Sequence, residues 1–206
     1  MAKISTPQEE FWAGSFGDEY IQRNQGLKSI ASNIALFSRI LASTRGVETV
    51  VEFGANIGLN LHAISALLPD ASLTGIELNA NAAAELAAWK RADVIHESII
   101  SLDTPRAWDF VLIKGVLIHI NPDSLPAVYE NLMKASSRYV CVIEYYNPSP
   151  VSINYRGHDD RLFKRDFAGE MMSKYPSLRL VDYGFAYRRD PNFPQDDVTW
   201  FLMEKA

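Results

Sequence analysis

Residues 50–61, VVEFGANIGLNL, decide the fold. Thr49, Val50 and Val51, all of high β-propensity, run into Glu52 and Phe53, and the chain then passes through Gly54 and Gly58 into a helical stretch read as Ile57 to Leu67, stopped by Pro69. A buried strand, a glycine turn and a helix in that order make a ligand-binding corner. Glycines let the backbone pass close to a bound nucleoside, and the helix start offers unpaired N–H groups. The spacing is G-x-x-x-G, because Asn56 and Leu59 stand where a dinucleotide loop, G-x-G-x-x-G, needs its second and third glycines. A pyrophosphate would find this loop too bulky.

The same alternation extends outward. TVVEF, SLTGIEL, VIHESI, DFVLIK and YVCVIEYY read as strands. Between them lie an alanine-rich helix, Asn79 to Lys90, and a helix from Asp123 to Ala135 opened by Asn121 and Pro122. Such βαβα order with near-continuous apolar strands predicts an α/β fold, a mostly parallel seven-stranded sheet covered on both faces. Upstream, Leu27 to Leu41 has helical spacing, with Gly46 as its stop, and residues 7 to 24 read as short helical pieces forming an arm. Downstream come a polar loop over 147 to 166, a short helix near 166 to 175, and two strands, LRLVDYGFAYRR and DVTWFLMEK, expected to close the sheet as an antiparallel hairpin. Glu77 ends the second strand, roughly 20 residues past the glycine turn, where a carboxylate can accept ribose hydroxyls.

Composition narrows the function classes. The 206 residues, 48% hydrophobic, suit one domain, divided here into an arm (1–45), a binding core (46–146) and a distal part (147–206). With 25 acidic against 20 basic residues the net charge is −5, which disfavours a broad nucleic-acid footprint. No apolar run approaches the roughly 20 residues of a membrane span, and the N-terminus lacks a signal-peptide pattern, so a cytoplasmic protein is expected. Cys141, the single cysteine, sits in an apolar strand and reads as a buried thiol. The four histidines have no ligand spacing with it, so no metal is expected.

E-x-G-x-x-x-G after the first strand, with an acid closing the second, resembles the class I S-adenosylmethionine (SAM) methyltransferases. EFWAGSFGDEYIQRN, KGVLIHINPDSL, EYYNPSPVSINYRGHDDRLFKRDFAGEM and DYGFAYRRDPNFPQDDVTWFLMEK further resemble the pseudaminic acid biosynthesis-associated methylases, over roughly residues 6 to 205. The resemblance implies SAM as cofactor. It places Glu52, Gly54, Ala55, Asn56 and Gly58 on the methionine part and Glu77 with Leu78 on the ribose. Lys114 and Gly115 fall near the methionine amino group. Many superfamily members carry Gly-Asp where this chain has Glu97-Ser98, so Ser98 stands in the place of the adenine contact. Trp12, Tyr20 and Arg23 are the arm's candidates to cover the cofactor, Arg23 as a two-pronged donor to a carboxylate.

Methyl transfer to a hydroxyl gains from a general base. His119 and Glu144, at the carboxyl edge of the sheet, and His158 and Asp159, in the polar loop, are the candidates. Arg156, Arg161 and Lys164 are expected to grip an anionic acceptor, and Tyr145, Tyr146, Tyr155 and Tyr183 to line its cleft. The acceptor implied is a small nonulosonic acid or nucleotide-linked sugar. A non-catalytic SAM-fold binding module, a nicotinamide-dependent nucleotide-sugar reductase and a nucleic-acid methyltransferase are the rival readings. The aromatic arm and the terminal hairpin are surfaces on which a second copy could pack as a homodimer.

Overall fold

A computed structural model describes residues 4–23, 26–155 and 157–206, with backbone alone at Gln22, His158, Asp159 and Asp160. Seven strands form the main sheet: β1 (Thr49–Phe53), β2 (Ser72–Ile76), β3 (Ala92–Ile95), β4 (Trp108–Lys114), β5 (Ser136–Glu144), β8 (Leu178–Ala186) and β9 (Val198–Lys205). Their order is β3-β2-β1-β4-β5-β9-β8. The first five are parallel, and β9 runs antiparallel between β5 and β8. The chain winds one way from β1 to β3 and the other way from β4 onward. It therefore leaves a crevice at the carboxyl ends of β1 and β4, where open sheets of this kind take ligands.

Period-two alternation assigns the strand side chains to two cores. Val50, Leu73, Phe110, Leu112, Cys141 and Ile143 face α3 (Leu27–Leu41), α4 (Leu59–Leu67) and α5 (Ala80–Ala88), meeting Phe37, Ile40, Leu61, Ile64 and Leu86. Val51, Ile76, Val111, Ile113, Val140 and Val142 face α6 (Leu125–Ala135) and α7 (Phe167–Lys174), meeting Val128, Leu132 and Met171. Burial pushes the Cys141 thiol up, so it stays protonated and inert.

Several boundaries differ from the sequence expectation. The helix ending at Leu41 is closed by the N–H groups of Ser43 and Thr44, which donate to the carbonyls of Ile40 and Leu41. Gly46, with φ +61°, instead turns the chain into β1. Helix α4 begins at Leu59, two residues later than expected, because Gly58 occupies its N-cap at φ +82°. Of VIHESI only Val94 and Ile95 belong to β3. His96 leaves the strand with its Nε2 3.0 Å from the carbonyl of Leu78, and residues 97–99 form an edge loop. Residues 122–124 form a 3₁₀ turn capped by the Asn121 side chain, and α6 follows it.

The largest difference lies in the stretch expected as a polar loop. It contains a separate two-stranded hairpin, β6 (Val151–Tyr155) and β7 (His158–Lys164), paired only with itself. Leu162 anchors it in the main core, while Val151 and Ile153 remain exposed. At the other end of the chain the arm folds as α1 (Pro7–Ala13) and α2 (Ser15–Arg23). Thr6 and Glu9 form a capping box at its start. Asn79 at the head of α5 holds the arm down, its Nδ2 donating to Asp18 Oδ1 (2.9 Å) and to the Trp12 carbonyl (3.3 Å). Gly17 permits this approach, since a β-carbon there would strike the Trp12 carbonyl.

Candidate active site

A cleft of about 720 Å³ lies over the carboxyl ends of β1, β2 and β4, roofed by the arm. Its floor is the glycine turn. Gly54 (φ +73°) and Ala55 donate their N–H groups to the carbonyl of Ile76, and a β-carbon on Gly54 would lie 2.6 Å from Val116 Cγ2. Asn56 is left-handed too, at φ 49°. That conformation delivers its N–H to Glu77 Oε2 at 2.7 Å, while Glu77 Oε1 accepts the N–H of Asn79, also at 2.7 Å. Glu77 thus ties the turn after β1 to the turn after β2. A carboxylate has roughly four acceptor positions, so these backbone donors leave capacity for a ligand. Burial raises its pKa, opposed by those backbone donors.

A polar cluster that the sequence reading did not anticipate stands behind this floor. Asn60 Nδ2 donates to Glu52 Oε1 (2.5 Å), and the Lys114 ammonium donates to Asn60 Oδ1 (3.2 Å) and Asn33 Oδ1 (3.0 Å). Gln195, from the loop between β8 and β9, also donates to Asn33 Oδ1. Burial pushes Glu52 up to about 8 and Lys114 downward, and the attraction between the two charges works against both shifts. Glu52 Oε2 is buried with no hydrogen-bond partner among the described residues. Asn33 and Asn60 were detectable only as polar residues on otherwise apolar helix faces.

The opposite wall is aromatic. Trp12, Tyr20, Tyr145, Tyr155 and His119 line it, with Trp12 and Tyr155 both packed against the imidazole at centroid distances of 4.7 and 5.1 Å. His119 Nδ1 lies 2.6 Å from the carbonyl of Arg161 on β7. A carbonyl only accepts, so Nδ1 carries the hydrogen and Nε2 the lone pair. Burial lowers this histidine to about 4 despite that bond, which keeps the ring neutral at neutral pH. The Trp12 indole N–H is a buried donor with no hydrogen-bond partner among the described residues.

Other candidates fall elsewhere. Glu144 is 3% exposed and lies outside the described lining of the cleft; its Oε1 accepts the N–H groups of Val116 and Leu117 at 2.9 and 2.8 Å. It is a clamp on the turn that carries His119, not a group facing an acceptor. Tyr146 (43% exposed) packs toward Phe201, and Tyr183 (64% exposed) lies on the edge strand β8, so neither lines the cleft. Arg161 and Lys164 also stand off the lining, the first over the Phe11 ring and the second over Tyr145. They brace the hairpin against the aromatic wall. Arg156 lies outside the described residues, as do the side chains of His158 and Asp159. Arg23 reaches the rim, where it pairs with Glu19 at 3.4 Å and covers Phe16. Leu78, Ser98 and Gly115 line the cleft as expected, and Gln8, Glu9 and Asn79 join them unforeseen.

Among the described residues no group of three His, Cys, Asp or Glu side chains is arranged to hold a metal ion, and no helix is long and apolar enough to cross a membrane. The sheet order, the glycine turn at the switch point and the terminal antiparallel hairpin define the Rossmann-like fold of the class I methyltransferases. Solved structures sharing it include the 1,6-didemethyltoxoflavin N1-methyltransferase of Burkholderia thailandensis with bound S-adenosylhomocysteine. That one has a TM-score of 0.68 at 14% identity, covering 100% of this chain and 93% of the other. A SAM-dependent methyltransferase of Leishmania major gives 0.69 at 15%, covering 98% and 86%. Magnesium protoporphyrin IX methyltransferase of Synechocystis with bound SAM gives 0.66 at 10%, covering 100% of each chain. No protein-family model and no curated protein matches the chain in sequence.

Proposed function

We propose that the chain is a SAM-dependent methyltransferase. One observation carries the reading: Glu77 presents a buried carboxylate into a cleft of about 720 Å³, beside the glycine turn whose N–H at Asn56 it holds. The residues fit the cofactor. Glu77 would hold the ribose, and the 54–57 backbone with Asn60 and Lys114 the methionine end, Glu52 standing behind the floor and orienting the Asn60 amide. When bound, SAM supplies an electrophilic methyl group on a sulfonium. The acidic lining, with Glu9, Glu77 and Asp196 against Arg23 and Lys114, suits a cationic centre.

His119 acts on the acceptor. Its Nε2 lone pair, fixed by the Nδ1–H bond to Arg161, accepts the hydrogen of a hydroxyl or of a neutral N–H group and holds that group in line for attack. The neutral, weakly basic ring orients the acceptor and takes its proton as charge develops. For the acceptor itself we propose a small nonulosonic acid or nucleotide-linked sugar; the sequence resemblance and the stacking surfaces of Trp12, Tyr145 and Tyr155 support that reading.

Calorimetric titration with S-adenosylhomocysteine tests the cofactor. Saturable one-to-one binding is expected, with none for NADH; the reverse result would replace methyl transfer with a nicotinamide reaction, and binding of neither would favour a non-catalytic module. Once an acceptor is in hand, His119→Ala should lower kcat about 100-fold or more while leaving S-adenosylhomocysteine affinity within about twofold. The parent's rate should rise with pH through about 4 and show no His119 limb near the 6.5 of a free imidazole.

A further inference from the structure

Glu9 is 4% exposed, yet among the described residues no Lys, Arg or His is ion-paired with it. Hydrogen bonds hold it instead, and they are unevenly divided. Oε2 accepts from the N–H and hydroxyl of Ser5 (both 2.8 Å), the N–H of Thr6 (3.0 Å) and the Thr6 hydroxyl (3.3 Å). Among the described residues Oε1 accepts only the hydroxyl of Ser98. That hydroxyl in turn accepts the N–H of Ile100 at 3.0 Å, so its single hydrogen is committed to Glu9 and its orientation is fixed. Ser98 therefore aims the carboxylate. One acceptor position on Oε1 is left over.

Glu9, Ser98 and Ile99 line the cleft next to Leu78 and Glu77. Strand β3 neighbours β2 in the sheet, so a nucleoside whose ribose sits on Glu77 extends its base toward the loop that follows β3. That loop is where Glu9 meets Ser98. A buried, negatively charged acceptor at the far end of a base slot selects a base edge that donates. Adenine has an exocyclic amino group there; hypoxanthine, otherwise the same shape, has a carbonyl that a carboxylate repels.

We infer that Glu9, carried on the N-terminal arm and aimed by Ser98, reads the amino group of the cofactor's adenine, so that base selection and docking of the arm are one event. The inference rests on the cofactor reading above. It makes the first turn of α1 part of the nucleoside site as well as a helix start. Glutamine at this position preserves the capping box, which accepts either residue. Its carbonyl oxygen would retain the Ser5 and Thr6 donors, turning the amide NH₂ toward the base and reversing the polarity that the base meets.

Calorimetry with S-adenosylhomocysteine and its deaminated analogue S-inosylhomocysteine reads this directly. The parent should prefer the adenosyl compound at least tenfold. In Glu9→Gln the preference should fall within about twofold or invert. Ser98→Ala, which leaves the capping box whole, should lower the ratio without inverting it, and covers the case in which the glutamine variant fails to fold. A Glu9→Gln protein that keeps the parent ratio, or loses affinity for both ligands equally, overturns the inference while leaving the cofactor reading intact. A folded parent that binds neither compound overturns the cofactor reading itself.

Discussion

Replacing Glu77 by alanine is expected to weaken S-adenosylhomocysteine binding about 100-fold, from the loss of two charge-assisted hydrogen bonds at about 1.5 kcal/mol each. The effect reaches beyond direct contact. Glu77 also receives the N–H groups of Asn56 and Asn79, so the variant loosens the left-handed corner of the glycine turn and the N-cap of α5 together. Glu77→Gln keeps one carbonyl acceptor but places an NH₂ against either Asn56 N–H or Asn79 N–H, and should cost about tenfold. Calorimetry beside thermal unfolding separates the two contributions. An alanine variant that binds within threefold of the parent would remove Glu77 from the ribose site. The sign of the pH dependence is fixed by the raised pKa: as pH falls toward it the carboxylate takes up a proton, an acceptor position is lost, and binding weakens.

Glu144→Ala should be the most damaging single change to stability, by about 3–4 kcal/mol, because it strands two buried N–H groups and opens a cavity under the turn. Among the described residues the N–H groups of Val116 and Leu117 have no other acceptor. For a chain of this length such a loss lowers the melting temperature by about 6–16 °C. Glu144→Gln, keeping an acceptor, should retain most of the fold. Burial pushes Glu144 up to about 8 from an unperturbed 4.5, so between those values the folded protein holds a proton that the unfolded chain has released. Its contribution is therefore whole below about pH 4.5 and lost as pH rises through about 8. Denaturant melts at pH 5 and pH 8 should show a smaller decline for the glutamine variant than for the parent. A stable but inactive alanine variant would return Glu144 to the catalytic candidates.

These two carboxylates also show what the sequence could and could not reveal. Both stand at strand ends, and both were singled out for that reason. Glu77 is found where it was expected because its position follows from the sheet order, which the apolar strand runs and the G-x-x-x-G turn already encode. Glu144 stood among the candidate bases because sequence cannot tell which way a strand-end side chain points; here it turns inward to hold a backbone. The hairpin β6–β7 shows the same limit. VSINY alternates as a strand should, yet it lies inside a stretch whose polar composition reads as a loop. The bond between Glu9 and Ser98 spans 89 positions and joins two residues with no shared local pattern. Only the path of the arm over the sheet edge brings them together.

The bond between His119 and the carbonyl of Arg161 has an evolutionary consequence. The imidazole hangs from the main sheet, but its tautomer is dictated by a hairpin that shares no strand pairing with that sheet and that also supplies Tyr155 to the aromatic wall. On the function proposed above, acceptor shape and proton acceptance therefore depend together on this one hairpin. On that same reading, an insertion, deletion or graft between Glu144 and α7 would retune both at once and would be felt in the arm as well, because Arg161 lies over Phe11 and Tyr155 packs toward Phe16.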